Sequence, residues 1–308
     1  MKTIHTYKTL WMPSILSICL LTTILLTACG PDARLDMAGM FHGSSPTIDK
    51  RIKESMAYNE KNGYATLQAT AEEYHVYVCT DTHITHTQHR WREFIDAYQS
   101  DSICPVAIHL GDIIDATNEF DGIFQQTIRP AMQHQHKKDT LMTVVGNHDI
   151  YFKQWSKFVA TFKTSTYYFV VATPSGQHDL YVIYDSAEGT VGQQQLQWLT
   201  ETLEWADTQQ FRHIVVCTHT HFFKRDNSQT PCSNYSLEET YALLNLFSSH
   251  GVKMIWTGHD HYREITNMSS MTSIVLESMK DDDKHPAYML VNMGKEISYQ
   301  VIRMEAEQ

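Results

Sequence analysis

The chain has 308 residues, 42% of them hydrophobic and 19% charged, which is enough apolar material for one large or two small globular domains. Its net charge is −11 with histidine neutral; residues 1–28 hold Lys2 and Lys8 and no acid, so the remainder sets 22 basic against 35 acidic side chains, or −13. That excludes non-specific nucleic-acid binding, which needs a basic face. Anionic substrates stay open, because bound cations reverse the local sign.

The first segment reads as an address. Lys2 and Lys8 form a basic start, an apolar run follows from Leu10 to Leu26, and small residues lead to Cys29. Leu26-Thr27-Ala28-Cys29 resembles a bacterial lipobox. The resemblance implies removal of residues 1–28 and acylation of Cys29, which anchors the chain to a membrane of the bacterial cell envelope. An uncleaved transmembrane anchor competes with this reading, but it has no use for the small-residue-then-Cys ending. Beyond Cys19 and Cys29 stand Cys79, Cys104, Cys217 and Cys232. An envelope location permits disulfides, and the sequence leaves their pairing open. Cys79 and Cys217 lie within apolar runs and read as buried thiols.

Residues 29–70 read as a tether with an N-terminal helical segment around Ile48–Tyr64, and 71–308 as the catalytic domain. From residue 74 short apolar and β-branched runs recur. They are His75–Cys79, Val106–Leu110, Leu141–Val145, Tyr168–Ala172, Leu180–Tyr184, Ile214–Cys217 and Met254–Trp256, then Ser273–Leu276, Tyr288–Val291 and Ser298–Ile302. Helical spacing marks Trp91–Tyr98, Gly122–Gln135, Gln193–Trp205 and Leu237–Ser249. Alternating strands and helices predict an α/β protein with a helix-covered sheet, its last strands partly antiparallel.

Polar residues gather where these runs end. After VYVC comes Asp81-Thr82-His83; after VAIHL, Gly111-Asp112 and then Asp115; after MTVV, Gly146-Asn147-His148-Asp149. After IVVC comes His219-Thr220-His221, and after MIW, Gly258-His259-Asp260-His261. Any one of these is an ordinary polar turn. Five strand ends that each deliver carboxylate, imidazole or amide point to a metal site, because those donors suit Mn, Fe and Zn. Alternation along extended chain would set Asp81 and His83, and likewise His259 and His261, on one side.

In this order the motifs DTH, GDIID, GNHD, strand-terminal TH and GHDH resemble the calcineurin-like metallophosphoesterase superfamily over roughly residues 74–262. The resemblance implies an α/β sandwich of two mixed β-sheets flanked by helices. It implies two divalent or mixed-valence ions and hydrolysis of a phosphate mono- or diester by a hydroxide bridging them. By position Asp81, His83 and His261 hold one metal, Asn147, His219 and His259 the other, and Asp112 bridges. His148 protonates the leaving alkoxide or hydrogen-bonds the phosphate, with Asp149 orienting its ring. Either His219 or His221 fits the ligand position; His219 follows the apolar run more directly. Purple acid phosphatases of the superfamily carry a tyrosine ligand where this chain has Asp115, so a phosphodiesterase-like branch is the better match. Asp115 itself reads as a helix cap or a group behind the ligands. The substrate is expected to be a small phosphoester or a lipid headgroup. The alternative is a non-catalytic metal-binding or protein-docking scaffold on the same fold, whose mark would be lost ligands or a lost His148.

Overall fold

The computed structural model describes residues 46–85, 89–115, 120–129, 140–223 and 235–305. The signal segment, Cys29, Cys232 and the end of the helix expected over Gly122–Gln135 lie outside them. The first half of the chain forms α1 (Pro46–Asn62), β1 (Ala65–Gln68), β2 (Tyr74–Cys79), α2 (His89–Ser100), β3 (Val106–His109), α3 (Phe120–Ile123), β4 (Leu141–Thr143), α4 (Asn147–Ile150), α5 (Trp155–Phe162), β5 (Tyr167–Ala172) and β6 (His178–Ile183). The second half forms α6 (Gln193–Asp207), β7 (Phe211–Cys217), α7 (Leu237–Ser249), β8 (Met254–Thr257), β9 (Glu264–Met268), β10 (Met271–Val275), β11 (Ala287–Met293) and β12 (Ile297–Arg303).

Among the described residues the strands make two mixed sheets, ordered β1-β5-β6-β7-β8-β10-β9 and β12-β11-β2-β3-β4. The pleat explains their stacking. Val76, Val78, Val106 and Ile108 of the smaller sheet pack with Phe169, Tyr181, Val215 and Trp256 of the larger in one core between the sheets. Their neighbours point outward, as period-2 alternation requires. Tyr77, Cys79 and Ala107 meet Trp91, Phe94 and Ile95 of α2 and Phe158 of α5. Leu180, Val182, Ile214 and Val216 meet Leu199 and Leu203 of α6 and Leu243 and Phe247 of α7. Helices therefore cover both outer faces, so the central strands are apolar on both sides.

The expected strands all form, with shifted ends. β1 and β9 were not expected, since their exposed or alternating residues make no apolar run; backbone pairing with β5 and β10 defines them. Helix α5 was also unexpected. Cys79, Cys104 and Cys217 are buried, and among the described residues no disulfide joins them.

The boundary expected at residue 70 falls inside this unit, because β1 is a strand of the larger sheet and α1 is bolted to it. Arg51 of α1 is buried and sends Nε and Nη2 to the two carboxylate oxygens of Asp185, at 2.8 and 3.1 Å. Nη1 reaches Glu188 at 3.1 Å. Burial opposes the guanidinium charge, and the two carboxylates more than restore it. Asp185 opens the loop after β6, and the next residue, Ser186, accepts hydrogen bonds from the Thr220 N–H at 2.9 Å and the Thr218 hydroxyl at 2.7 Å. The helix thus braces the turn that carries His219. Replacing Arg51 by Ala strands the Asp185 carboxylate in the interior; the expected loss is about 3–5 kcal/mol in urea denaturation, far above an exposed Arg→Ala control.

Candidate metal centre

The site lies at the carboxyl ends of β2, β3 and β4 from one sheet and β7 and β8 from the other. The loops there continue the strand pairing: Asp81 N–H donates to Gly111 O at 3.0 Å, His83 N–H to Asp112 O at 3.0 Å, and Gly258 N–H to His219 O at 3.0 Å. The expected alternation along extended chain is not how neighbouring ligands converge. Asp81 and His83 have φ of 50° and 42°, Asp112 of 55°, and His259 and His261 of 72° and 57°. These are left-handed conformations, sparse for non-glycine residues and costly to hold. Asp81 and His83 share a side because the loop is coiled.

Two glycines make the convergence possible. A Cβ on Gly146 would overlap the Asp112 carboxylate, and one on Gly258 would overlap Thr80 Oγ1 and crowd Asp81 Oδ2. The motif glycines are thus set by close approach, beyond their freedom to turn.

The sequence-named residues form three overlapping groups, each with donor atoms within 4.8 Å of one another: Asp81, His83 and His261; Asp112, His219 and His259; and, linking them, His83, Asp112 and His148. Asn147 joins the second, its Oδ1 3.1 Å from His219 Nε2. Asp112 faces the first two groups, with Oδ2 3.8 Å from His83 Nε2 and 3.3 Å from His219 Nε2. Between the two histidine candidates in THTH, His219 sits in the cluster. His221 is fully buried nearby and belongs to none of the groups.

The donors fit cations. Ring nitrogens face one another at 3.2 Å, His83 Nε2 to His261 Nε2 and His219 Nε2 to His259 Nδ1. Asp81 Oδ1 and His259 Nε2 are buried and have no hydrogen-bond partner among the described residues. Their surroundings aim them: Thr80 Oγ1 and the His259 N–H donate to Asp81 Oδ2 at 2.6 and 2.8 Å, leaving Oδ1 turned to the cluster. His219 Nδ1 donates to Leu110 O at 2.8 Å, which leaves Nε2 as the ligand atom. His109, the last residue of β3, is buried behind the site. It holds Thr82 Oγ1 at 2.9 Å and accepts the Gly111 N–H.

Asp149 requires a correction. It was expected to orient His148, but its carboxylate is taken by four backbone donors: the N–H groups of Asp112, Ile113, Ile114 and Gly146, at 2.9–3.3 Å. Burial and the Asp112 charge push its carboxyl up to about 7, against those donors. Its work is to fold the loop around Asp112. The carboxylate beside His148 Nδ1 is Asp115, at 3.2 Å, and Asp115 also lies 3.5 Å from His83 Nδ1. A cleft of about 280 Å³ opens there, walled by Trp91, Met279 and Lys280.

A family model described as calcineurin-like phosphoesterase matches residues 74–263, more than half of the chain. The chain belongs to the calcineurin-like phosphoesterase family. No curated protein matches it in sequence. A dimetal phosphatase from Danio rerio is 14% identical with a TM-score of 0.51, over 75% of this chain and 98% of that one. GAP50, described as the anchor in the inner membrane complex of Plasmodium, is 12% identical with a TM-score of 0.55, over 76% and 86%. A purple acid phosphatase from yellow lupin seeds is 11% identical with a TM-score of 0.58, over 75% of this chain and 52% of that one. Identities this low show a shared fold.

Without cations, burial works against protonated imidazoles at the centre of this calcineurin-like chain, yet nearby carboxylates overcome it. Asp115, Asp81 and Asp112 hold His83 at about 10, and Asp112 and Asp81 hold His219 at about 9. Both lie above the ordinary histidine value near 6.5, so the stability they add is complete below that value and drains as pH climbs through about 9 to 10. A bound cation replaces those protons. The gap in melting temperature between metal-loaded and chelator-stripped protein is therefore expected to widen from pH 6.5 to pH 9.5; a constant gap would contradict the placement of these imidazoles.

Proposed function

We propose that the chain hydrolyses phosphate mono- or diesters with two bound cations drawn from Mn, Fe and Zn. The observation that carries this is one geometry: Asp112 faces His83 of one donor cluster and His219 of the other, and His148, grouped with His83 and Asp112, has its Nδ1 against Asp115. Asp81, His83 and His261 would hold one cation, Asn147, His219 and His259 the other, with Asp112 between them. When bound, the cations supply Lewis acidity, offsetting phosphoryl charge and making water a nucleophile at neutral pH.

The chain's own groups supply the rest. His148 keeps 29% of its side chain exposed and stands edge-on to His83, ring centroids 4.5 Å apart. Burial holds its pKa below the ordinary value, the Asp112 and Asp115 charges pull it up, and His83 pulls it down. With Nδ1–H given to Asp115, Nε2 is left to hand a proton to the departing oxygen. Family membership supports phosphoester hydrolysis in general terms; a small phosphoester or a lipid headgroup is the substrate class proposed here. The sequence of residues 1–29 supports an envelope lipoprotein held by acylated Cys29. No described helix is long and apolar enough to cross a membrane. An anchoring role like that of the Plasmodium neighbour would leave the His148–Asp115 pair without use.

Three outcomes are expected. Chelation abolishes, and Mn, Zn or Fe restores, hydrolysis of nitrophenyl phosphoesters. His148→Ala keeps its metal content by elemental analysis while kcat falls about 10²- to 10⁴-fold. Asp115→Asn removes a charge that favours the imidazolium, so the alkaline limb of the pH–rate profile moves to lower pH. Metal-loaded protein inert on a broad panel of mono- and diesters would instead support the scaffold.

A further inference from the structure

We propose that Tyr151 is a positioning residue for the second cation, acting through the side-chain amide of Asn147. The inference rests on the two-cation reading above and concerns how this chain keeps one of its neutral ligands aimed.

An asparagine amide presents an oxygen at one end and an NH₂ at the other, and only the oxygen ligates. Asn147 is buried, with 4% of its surface exposed. Its Oδ1 faces His219 Nε2 at 3.1 Å, and its Nδ2 donates to the Tyr151 hydroxyl at 3.1 Å. The phenol therefore takes the NH₂ and leaves Oδ1 to His219. The two residues are four apart, the spacing at which side chains of one helical turn meet. The Tyr151 ring also lies 5.2 Å from the His148 ring, tilted by 48°. One aromatic side chain thus touches both the amide ligand and the proposed acid.

The backbone supplies a second, independent observation. Helix α4 stops at Ile150, Tyr151 is extended (φ −56°, ψ 158°), and Phe152 and Lys153 both turn left-handed, with φ of 53° and 63°. Consecutive left-handed residues are unfavourable for large side chains. Packing does not repay that cost, because Phe152 is 68% exposed. What the turn achieves is to halt the helix after one turn and launch α5 in a new direction, with Tyr151 held over Asn147. Strain of this kind belongs to sites where position matters more than stability.

The test uses the full chain, stripped by chelator and titrated calorimetrically with Mn²⁺ or Zn²⁺. Two binding steps in the unaltered protein support the two-cation reading itself, whatever Tyr151 does. Tyr151→Phe is then expected to weaken one step about 10- to 100-fold, the scale of lost groups behind a ligand, and to spare the other. Excess metal should restore most of the hydrolysis. Phe152→Ala should titrate like the unaltered chain. Asn147→Asp supplies the decisive background: both of its oxygens ligate, so no amide needs orienting, and adding Tyr151→Phe to it should leave both steps unchanged. Either of two results would overturn the proposal. One is a Tyr151→Phe titration identical to that of the unaltered protein. The other is an equal weakening by Tyr151→Phe in the Asn147→Asp background.

Discussion

A single buried carboxylate, Asp112, holds the site together. Its Oδ1 accepts the His148 backbone N–H at 2.8 Å, and its Oδ2 faces the imidazoles of both clusters. Its own backbone N–H is tied to Asp149, and its carbonyl accepts from His83. Such a charge in the interior is tolerable only among donors and cations. The left-handed turn at Asp112, the bare Gly146 beside it and the four N–H donors gathered by Asp149 are consequences of placing it there.

That constraint spreads to the scaffold. A carboxylate shared by donors from two sheets requires those sheets to meet at one rim, which the aromatic and aliphatic core between them enforces. The loops then depart from ordinary backbone geometry, and the surrounding hydrogen bonds compensate. Even α1 takes part: Arg51 fixes Asp185, and Ser186 next to it fixes the turn of His219. Stability at the amino-terminal helix and geometry at the metal centre are linked through two contacts, Arg51 to Asp185 and Ser186 to Thr220.

The fold was legible because strand length and composition repeat, and because central strands covered on both faces are apolar throughout. Apart from helix α5, apolar but only eight residues long, what escaped was polar or marginal. β1 and β9 are edge strands defined by pairing alone, and they offer no hydrophobic signal. Helix α1 was expected as a helix, but its docking onto the sheet was not, because its decisive contact, Arg51 to Asp185, joins residues 134 positions apart.

In the site, the residue types at five strand ends are a property of the sequence, since only oxygen and nitrogen donors of that kind suit such cations. Which donor serves which neighbour is a property of the tertiary structure. Asp149 adjoins His148 in sequence, but adjacent residues on a helical turn diverge, and Asp149 folds inward to four backbone N–H groups. Asp115, 33 positions away, is carried to the imidazole by the loop after β3. The sequence determined that carboxylate, imidazole and amide would collect at the ends of five strands. Left-handed backbone and long-range loop pairing, which no local pattern encodes, decided their partners.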